Sequence, residues 1–274
     1  MIKKVFKIVL IGILTISFSA CENKYEKKEE EKEVKFTPKL AMPEVKEEHI
    51  NKYFKLSVWH SAKHDPIPAT KIGYAYSEEL KDYEKAIEWY KYSDSMIPLG
   101  ENSYFACYAY QQLKQYDEAI KWCKNAVDLN WDKALVLLGT VYEDNNKYNE
   151  AVNYYKKSFE KVKDGLSANN LGYLYSTKLN DYVEAEKWYK EAIKLNHYSS
   201  YQSFATFYYK DLKDNIKASA YAIALINKEY TKSSVIKLLK NEWKIPNETI
   251  KKGYELQLNS DEFPIKFEGD LDLE

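Results

Sequence analysis

The stretch YEKAIEWY, residues Tyr83–Tyr90, decides the fold because close copies of it recur along the chain. The copies are YDEAIKWC at Tyr116–Cys123, YNEAVNYY at Tyr148–Tyr155, YVEAEKWY at Tyr182–Tyr189 and the degenerate NIKASAY at Asn215–Tyr221. Their central alanines follow one another at an almost constant spacing, at Ala86, Ala119, Ala151, Ala185 and Ala218. Such a period, about 33 residues, is typical of a helical-repeat protein.

A second marker precedes each alanine with the same period. A small residue stands in an apolar and aromatic cluster a short way upstream, at Gly73, Cys107, Gly139, Gly172 and Ala205. We expect it on a first helix, where it lets the alanine-bearing second helix approach closely, since a large side chain would push the helices apart. One such pair cannot bury its apolar face alone, so the pairs are predicted to stack into an α-solenoid.

This pattern resembles the tetratricopeptide repeat, and LGYLY at Leu171–Tyr175 followed by AEKWYKEA at Ala185–Ala192 is also similar to the Sel1-like repeat. The resemblance spans residues 69–230 and implies an all-α, right-handed superhelix of about five helix-turn-helix repeats. Copies one, four and five have one more residue in the turn than copies two and three, which favours the Sel1-like form. Residues 231–259 are expected to cap the C-terminal end with short helices.

The resemblance also implies a concave face, lined by the first helices, that binds a protein or peptide partner. Carried over position by position, this face would hold hydroxyl and amide groups rather than strong charge. The positions are Thr70, Tyr74, Tyr104, Tyr108, Val136, Thr140, Asn169, Tyr173, Gln202, Thr206 and Tyr209. Tyrosine gives a large contact area with a polar tip, which suits peptide or glycan recognition. The alternative is that some of these rings are core residues of a tyrosine-rich chain.

Composition excludes several functional classes. All 41 basic residues are lysine and they face 42 acidic residues, for a net charge of −1. Arginine is the usual reader of base edges, so its absence argues against nucleic-acid binding. His60 and His64 are spaced like metal ligands, but no third ligand accompanies them, and no metal or cofactor is expected. No catalytic motif is present, so we expect no enzyme; Glu78, Glu143 and Asp144 are the acids on which that expectation is to be judged.

Two cysteines, Cys107 and Cys123, are predicted to lie on the two helices of one repeat, about one turn out of register. A disulfide between them is one alternative. Two unbonded, buried small side chains are the other, and this is favoured because Cys107 occupies the small-residue site.

Residues 1–20 have the features of a bacterial signal peptide. Three lysines precede the apolar run Ile8–Ala20, which is too short to span a bilayer as a stable helix. FSAC at Phe18–Cys21 resembles the lipobox of bacterial lipoproteins, so Cys21 is expected to carry a lipid anchor. An ordinary secretory signal and an uncleaved anchor are the alternatives. Residues 21–48 are then the lipidated cysteine with a charged tether.

Two further segments flank the repeats. Residues 49–68 are expected to be a linker or a helix that packs on the first repeat, with a helical piece from about Glu44 to Trp59. Residues 260–274 form an acidic, extended tail, which is either a partner-binding segment or, as we favour, a frayed terminus.

These features predict a membrane-tethered lipoprotein of the cell envelope that acts as a protein-interaction scaffold. The outer membrane is favoured if the cell has two, because Glu22 follows the cysteine. Two alternatives stay open. One is an envelope-assembly factor of the β-barrel-assembly or pilotin type, and the other is a Sel1-like protein that binds or weakly hydrolyses cell-wall-related compounds.

Overall fold

The computed structural model describes residues 36–273, and within that range it contains thirteen α-helices and no β-strand, as the repeat pattern predicts. The signal peptide, Cys21 and most of the tether lie outside the described residues. The helices are α1 (Leu56–Ser61), α2 (Pro66–Glu78), α3 (Tyr83–Met96), α4 (Gly100–Gln112), α5 (Tyr116–Asp128), α6 (Ala134–Asp144), α7 (Tyr148–Val162), α8 (Gly165–Leu174), α9 (Tyr182–Lys194), α10 (Ser199–Phe207), α11 (Asn215–Ala224), α12 (Lys232–Lys237) and α13 (Asn247–Asn259).

Helices α2 to α11 form five helix-turn-helix pairs in the described part of the chain: α2/α3, α4/α5, α6/α7, α8/α9 and α10/α11. Each pair packs on the next, so the apolar face that one pair leaves open is covered by its neighbour. The marker residues of both series are buried: Gly73, Ala86, Cys107, Ala119, Gly139, Ala151, Gly172, Ala185, Ala205 and Ala218.

The small residue of the first helix lies under a tyrosine ring rather than under the alanine itself. A Cβ atom built on Gly73 would come 2.7 Å from the Tyr90 ring, and one on Gly172 would come 2.7 Å from the Tyr189 ring. Each tyrosine follows the marker alanine by four residues, one helical turn further along the second helix. The close approach that the sequence predicts from the small residue and the alanine therefore also includes a glycine–tyrosine contact, which the sequence argument did not identify.

The extra turn residue of repeats one, four and five is absorbed in the backbone between the helices. In repeats four and five, the first helix continues as a π-helical turn, Tyr175–Leu179 and Tyr208–Leu212. The following aspartates, Asp181 and Asp214, cap the second helix by accepting a backbone N–H with their side chains. The longer connection thus preserves the helix pair and supplies an N-cap that Gln115 of repeat two does not.

The turns use lysine and asparagine where glycine is the usual choice. Ten helix ends are followed by a non-glycine residue with a positive φ, and no glycine among residues 36–273 has one. The ten residues are Lys81, Lys114, Asn130, Asn146, Lys163, Asn180, Asn196, Lys213, Asn227 and Lys244. A left-handed backbone conformation disfavours a residue with a Cβ atom, and lysine lacks the local hydrogen bonding that helps asparagine adopt it.

Replacing Lys114, at φ 57°, with glycine should therefore stabilise the protein by about 0.5–1 kcal/mol. The matched control is Lys124→Gly, in the middle of α5, which should destabilise it by about 1 kcal/mol. Urea denaturation of the two variants measures both effects. A Lys114→Gly variant that is less stable than the wild type would contradict the turn geometry.

A disulfide joins Cys107 on α4 to Cys123 on α5, with the two Cα atoms 5.1 Å apart and both side chains fully buried. The favoured sequence interpretation, two unbonded cysteines, is not what the structure shows. Cys107 occupies the small-residue site, and Cys123 occupies the place of the tyrosine in repeats one, three and four. Repeat two thus replaces the glycine–tyrosine contact with a covalent bond.

Reduction of the disulfide should cost about 3 kcal/mol of unfolding free energy, because the bond spans 16 residues. The variant Cys107→Gly/Cys123→Tyr, which introduces the pair found in the other repeats, should be more stable than Cys107→Ala/Cys123→Ala, which leaves a cavity. Denaturation curves with and without a phosphine reductant test both expectations. A wild-type denaturation curve that is the same with and without the reductant would mean that the thiols are free in solution.

The N-terminal flank does not form the single helix expected from about Glu44 to Trp59. A short 3₁₀ turn at Glu47–His49 is followed by a left-handed residue, Asn51, and α1 begins only at Leu56. The flank still covers the first repeat, since His49 Nδ1 lies 3.1 Å from the Tyr76 hydroxyl and Phe54 is buried.

The C-terminal segment is packed rather than frayed. Helix α13 lies against α11, where Gly253 allows close approach, since a Cβ atom there would come 2.6 Å from Ser219 Cβ. After α13 the chain runs extended, yet Phe263 is buried and its ring lies 4.6 Å from that of Tyr221. The Gln257 side chain donates to the Phe267 carbonyl and accepts from the Phe267 N–H. Apolar anchors and a buried amide therefore hold the acidic tail in place.

Candidate protein-binding groove

The first helices of the repeats lie closer to each other than the second helices do. Helix α2 contacts α4, α4 contacts α6, and α8 contacts α10. The surface formed by α2, α4, α6, α8 and α10 is therefore the inner surface of the stack, and it is called the groove below. The eleven positions taken from the resemblance all lie on these helices or, for Tyr209, on the π-helical turn after α10.

Two of the predicted groove tyrosines are open to solvent. Tyr74 on α2 is 48% exposed and Tyr173 on α8 is 47% exposed. The Tyr74 ring rests edge-on against Phe105 of the next first helix, with ring centroids 5.5 Å apart. Both tyrosines therefore present apolar ring surface and a hydroxyl group to solvent, where a partner could contact them.

Two further tyrosines of the prediction are half-buried. Tyr104 packs edge-on against Phe105 at 5.5 Å, and Tyr108 packs against Tyr83 at 6.3 Å. Burial raises the pKa of both phenol groups, so they remain neutral hydrogen-bonding groups at physiological pH. These rings form the base of the groove more than its open surface.

The C-terminal groove positions of the prediction contact the cap. The Tyr230 hydroxyl donates to Gln202 Oε1 at 2.5 Å. The Tyr209 ring stacks on Trp243, with centroids 4.5 Å apart, and its hydroxyl donates to the Trp243 carbonyl at 3.1 Å. Tyr209 is therefore a structural contact to the cap, whereas Gln202 stays exposed at the C-terminal end of the groove.

Asn169 on α8 is half-buried, and its Oδ1 atom is fully buried with no hydrogen-bond partner in the described part of the chain. An unpaired buried amide oxygen is costly, so this atom is a natural position for a bound water. Thr70, by contrast, is buried and donates to the Pro66 carbonyl, so it is no ligand position.

Sequence reasoning missed a cleft at the N-terminal end of the groove. Its volume is about 300 Å³, and its walls include Ile67, Lys71, Tyr74, Glu101 and Phe105. Ile67 is 53% exposed, which is unusual for an isoleucine at the first turn of a helix. The signal was an apolar residue two helical turns before Tyr74 on the same face, which the position-by-position transfer did not include.

The three acids that were to be judged for catalysis have separate partners. Glu78 pairs with Lys81, Asp144 accepts from the Gln111 amide, and Glu143 accepts from the Tyr155 hydroxyl at 2.8 Å. None of these hydrogen bonds joins two of the acids. Burial raises the pKa of Glu143 and Asp144 adds to this, while the Tyr155 hydrogen bond opposes it.

A carboxyl group whose pKa is raised by folding destabilises the folded state once the pH exceeds its unfolded pKa, near 4.3. Glu143→Gln keeps an acceptor for Tyr155 but removes the charge. The variant should therefore match the wild type at pH 3–4 and become the more stable protein as the pH rises above about 4.3.

Thermal denaturation across this pH range measures the difference. Glu160→Gln, an exposed acid on the second helix of the same repeat, is the matched control. An equal gain for Glu160→Gln would assign the effect to net charge rather than to burial of Glu143.

The remaining candidates fall outside the groove. His60 and His64 are exposed, and residues 36–273 contain no cluster of three or more acidic, histidine or cysteine side chains that could hold a metal ion. Within that same range no helix is both long and apolar enough to cross a bilayer.

Comparison with known families agrees with the helix pairs. Residues 69–98, 105–130 and 132–160 match one description of the tetratricopeptide repeat, and residues 166–196 match a second. The second match includes the segment that also resembles Sel1-like repeats. Residues 69–196 therefore contain tetratricopeptide repeats. No curated protein matches the sequence of this chain as a whole.

Solved structures share this fold at low identity. PilF of Pseudomonas aeruginosa aligns over 72% of this chain and 94% of its own, with a TM-score of 0.54 and 14% identity. A chain of the APC/C hetero-tetramer Cut9–Hcn1 aligns over 76% of this chain and 44% of its own length, with a TM-score of 0.53 and 17% identity. MamA from Desulfovibrio magneticus RS-1 is a looser match. It aligns over 51% of this chain and 82% of its own, with a TM-score of 0.45 and 21% identity. Identities this low indicate a common fold alone.

Proposed function

We propose that this chain is a membrane-tethered scaffold that holds a protein partner in the groove, and that it has no catalytic role of its own. Tetratricopeptide repeats are generally protein-interaction modules, which supports a scaffold function. The finer proposal concerns which surface binds and how the chain is placed.

The observation that carries the proposal is the pair of open tyrosines, Tyr74 and Tyr173, on the inner surface of the stack. The tyrosines that pack against the small residues, Tyr90, Tyr155 and Tyr189, are buried, and the exposed rings elsewhere in the repeats, Tyr182 at 37% and Tyr198 at 36%, are less exposed than this pair. Rings left half-exposed on one surface gain apolar contact only when a partner covers them. Tyrosine and its rigid ring are also well suited to binding because little side-chain entropy is lost.

Two features support a more specific path for the partner along the groove. The cleft beside Tyr74 joins apolar walls to one lysine and one glutamate, Lys71 and Glu101, which fits an extended segment with mixed side chains. Near the other end, Asn169 is half-buried with an unpaired Oδ1 atom, and because that atom is itself buried, a bound water would have to link it to the main chain of the partner. A bound segment running between Tyr74 and Tyr173 would meet both.

The tether belongs to the same proposal. Lipidation of Cys21 would fix the chain to the envelope membrane, and the charged residues after it would let the repeats reach a partner away from the lipid surface. The resemblance of Phe18–Cys21 to a lipobox supports this part.

The test is capture of partners from the native envelope with the full-length chain and a Tyr74→Ser/Tyr173→Ser variant. Both rings are half-exposed, so the variant should remain folded while its affinity for the partner falls by about tenfold or more. Circular dichroism checks the fold, and quantitative mass spectrometry of the captured proteins measures the loss.

The matched control is Tyr148→Ser/Tyr182→Ser, which alters the first residues of two second helices instead. Equal capture by the two double variants would move the binding surface away from the groove. A Cys21→Ser variant should shift the captured complex from the membrane fraction to the soluble fraction. Capture of no protein, together with binding of cell-wall fragments, would favour the cell-wall alternative instead.

A further inference from the structure

In three repeats a tyrosine ring fills the space that the small residue leaves. Tyr90 lies over Gly73 and stacks on Phe105 of the next first helix, with centroids 5.8 Å apart. Tyr189 lies over Gly172 and stacks on Phe204 of the next first helix at 5.2 Å. The ring therefore closes the niche between a helix pair and the first helix that follows it.

Repeat five has the niche but not the ring. The residue four positions after Ala218 is Ala222, and the small-residue site is Ala205. Helix α12 follows this pair, as the next first helix does in the other repeats. A cavity of about 150 Å³ remains, with Ala205 and Ala222 among its lining residues. An enclosed apolar cavity of this volume accepts a benzene-sized group.

The walls and the rim of this cavity differ in chemistry. Leu225, Val235 and Leu238 form apolar walls. The rim is polar and includes Gln202 and Tyr230, which are joined by the hydrogen bond described above, and the exposed Ser234, whose hydroxyl donates to the Thr231 carbonyl. Because Gln202 lies on a first helix, the mouth continues the C-terminal end of the groove.

We propose that this cavity is a specificity pocket that receives one apolar side chain, of leucine to phenylalanine size, from the protein partner. The inference rests on the proposed function for the source of that side chain. The occupant is apolar because the aliphatic walls offer no hydrogen-bond partner to a buried polar group. Its size follows from the missing tyrosine ring, and the amide of Gln202 at the rim can bind the adjoining main chain.

The pocket is tested directly with N-acetyl-phenylalaninamide, a single apolar side chain between two peptide groups. Methyl NMR of the wild-type chain should show saturable shifts at Leu225, Val235 and Leu238, whereas N-acetyl-glutaminamide should leave these signals unchanged. No saturable shift at the solubility limit of the probe would overturn the proposal, whether or not a protein partner has been found.

Filling the pocket from within provides the second test. Ala222→Phe should remove the probe-dependent shifts. Ala222→Val, a smaller change that can be used if Ala222→Phe does not fold, should weaken them. Val183→Phe introduces the same side chain at a residue that is 80% exposed and should leave the probe-dependent shifts unchanged. Probe binding that survives in a folded Ala222→Phe variant would place the probe elsewhere and contradict the pocket.

The two proposals fail in different ways. If Ala222→Phe lowers capture of the native partner by about tenfold to a hundredfold, the value expected for one buried apolar side chain, the pocket serves the groove. If capture depends on Tyr74 and Tyr173 but is unchanged in Ala222→Phe, the groove stands and the specificity pocket is wrong.

Discussion

The stack depends on one contact, a tyrosine ring laid directly over a residue with no side chain. The ring at Tyr90, Tyr155 or Tyr189 comes so close to its glycine that even a methyl group there would clash. The contact joins the two helices of a pair, and where Phe105 or Phe204 stacks on the ring it joins the next pair as well. One aromatic side chain thus sets both the internal spacing of a repeat and its distance from the following one.

The two repeats that lack this contact show what the fold can substitute for it. Repeat two uses a covalent bond between Cys107 and Cys123, which holds the pair without a ring. Repeat five uses Ala205 and Ala222, which hold the helices close but leave a void. The helix pairs persist in both cases because the flanking apolar residues still cover each other. The consequences for function differ, since only the second substitution opens a space at the surface.

The fold could be predicted from sequence because two markers of equal period specify both helices of each repeat, and periodicity survives local variation. The open groove could be predicted only in part. Tyr74 and Tyr173 are exposed, whereas Tyr209 stacks on Trp243 and Gln202 is hydrogen-bonded to Tyr230. The C-terminal cap does not follow the repeat pattern, so its contacts with the last repeat could not be predicted from that pattern and are seen only in the structure. The packed tail has the same origin, since its anchors Phe263 and Phe267 carry no period.

The disulfide also limits how far the protein can be stretched. When one end of a chain is fixed and a bound partner pulls on the other part, the chain lengthens as its helices unfold, by up to about 3.3–3.6 Å per residue. Cys107 and Cys123 are 16 residues apart in sequence but 5.1 Å apart between Cα atoms. The bond therefore withholds about 50 Å of extension from the unfolded chain. An oxidised molecule would resist a pulling force over a shorter distance than a reduced one, and force spectroscopy would read its redox state as a length.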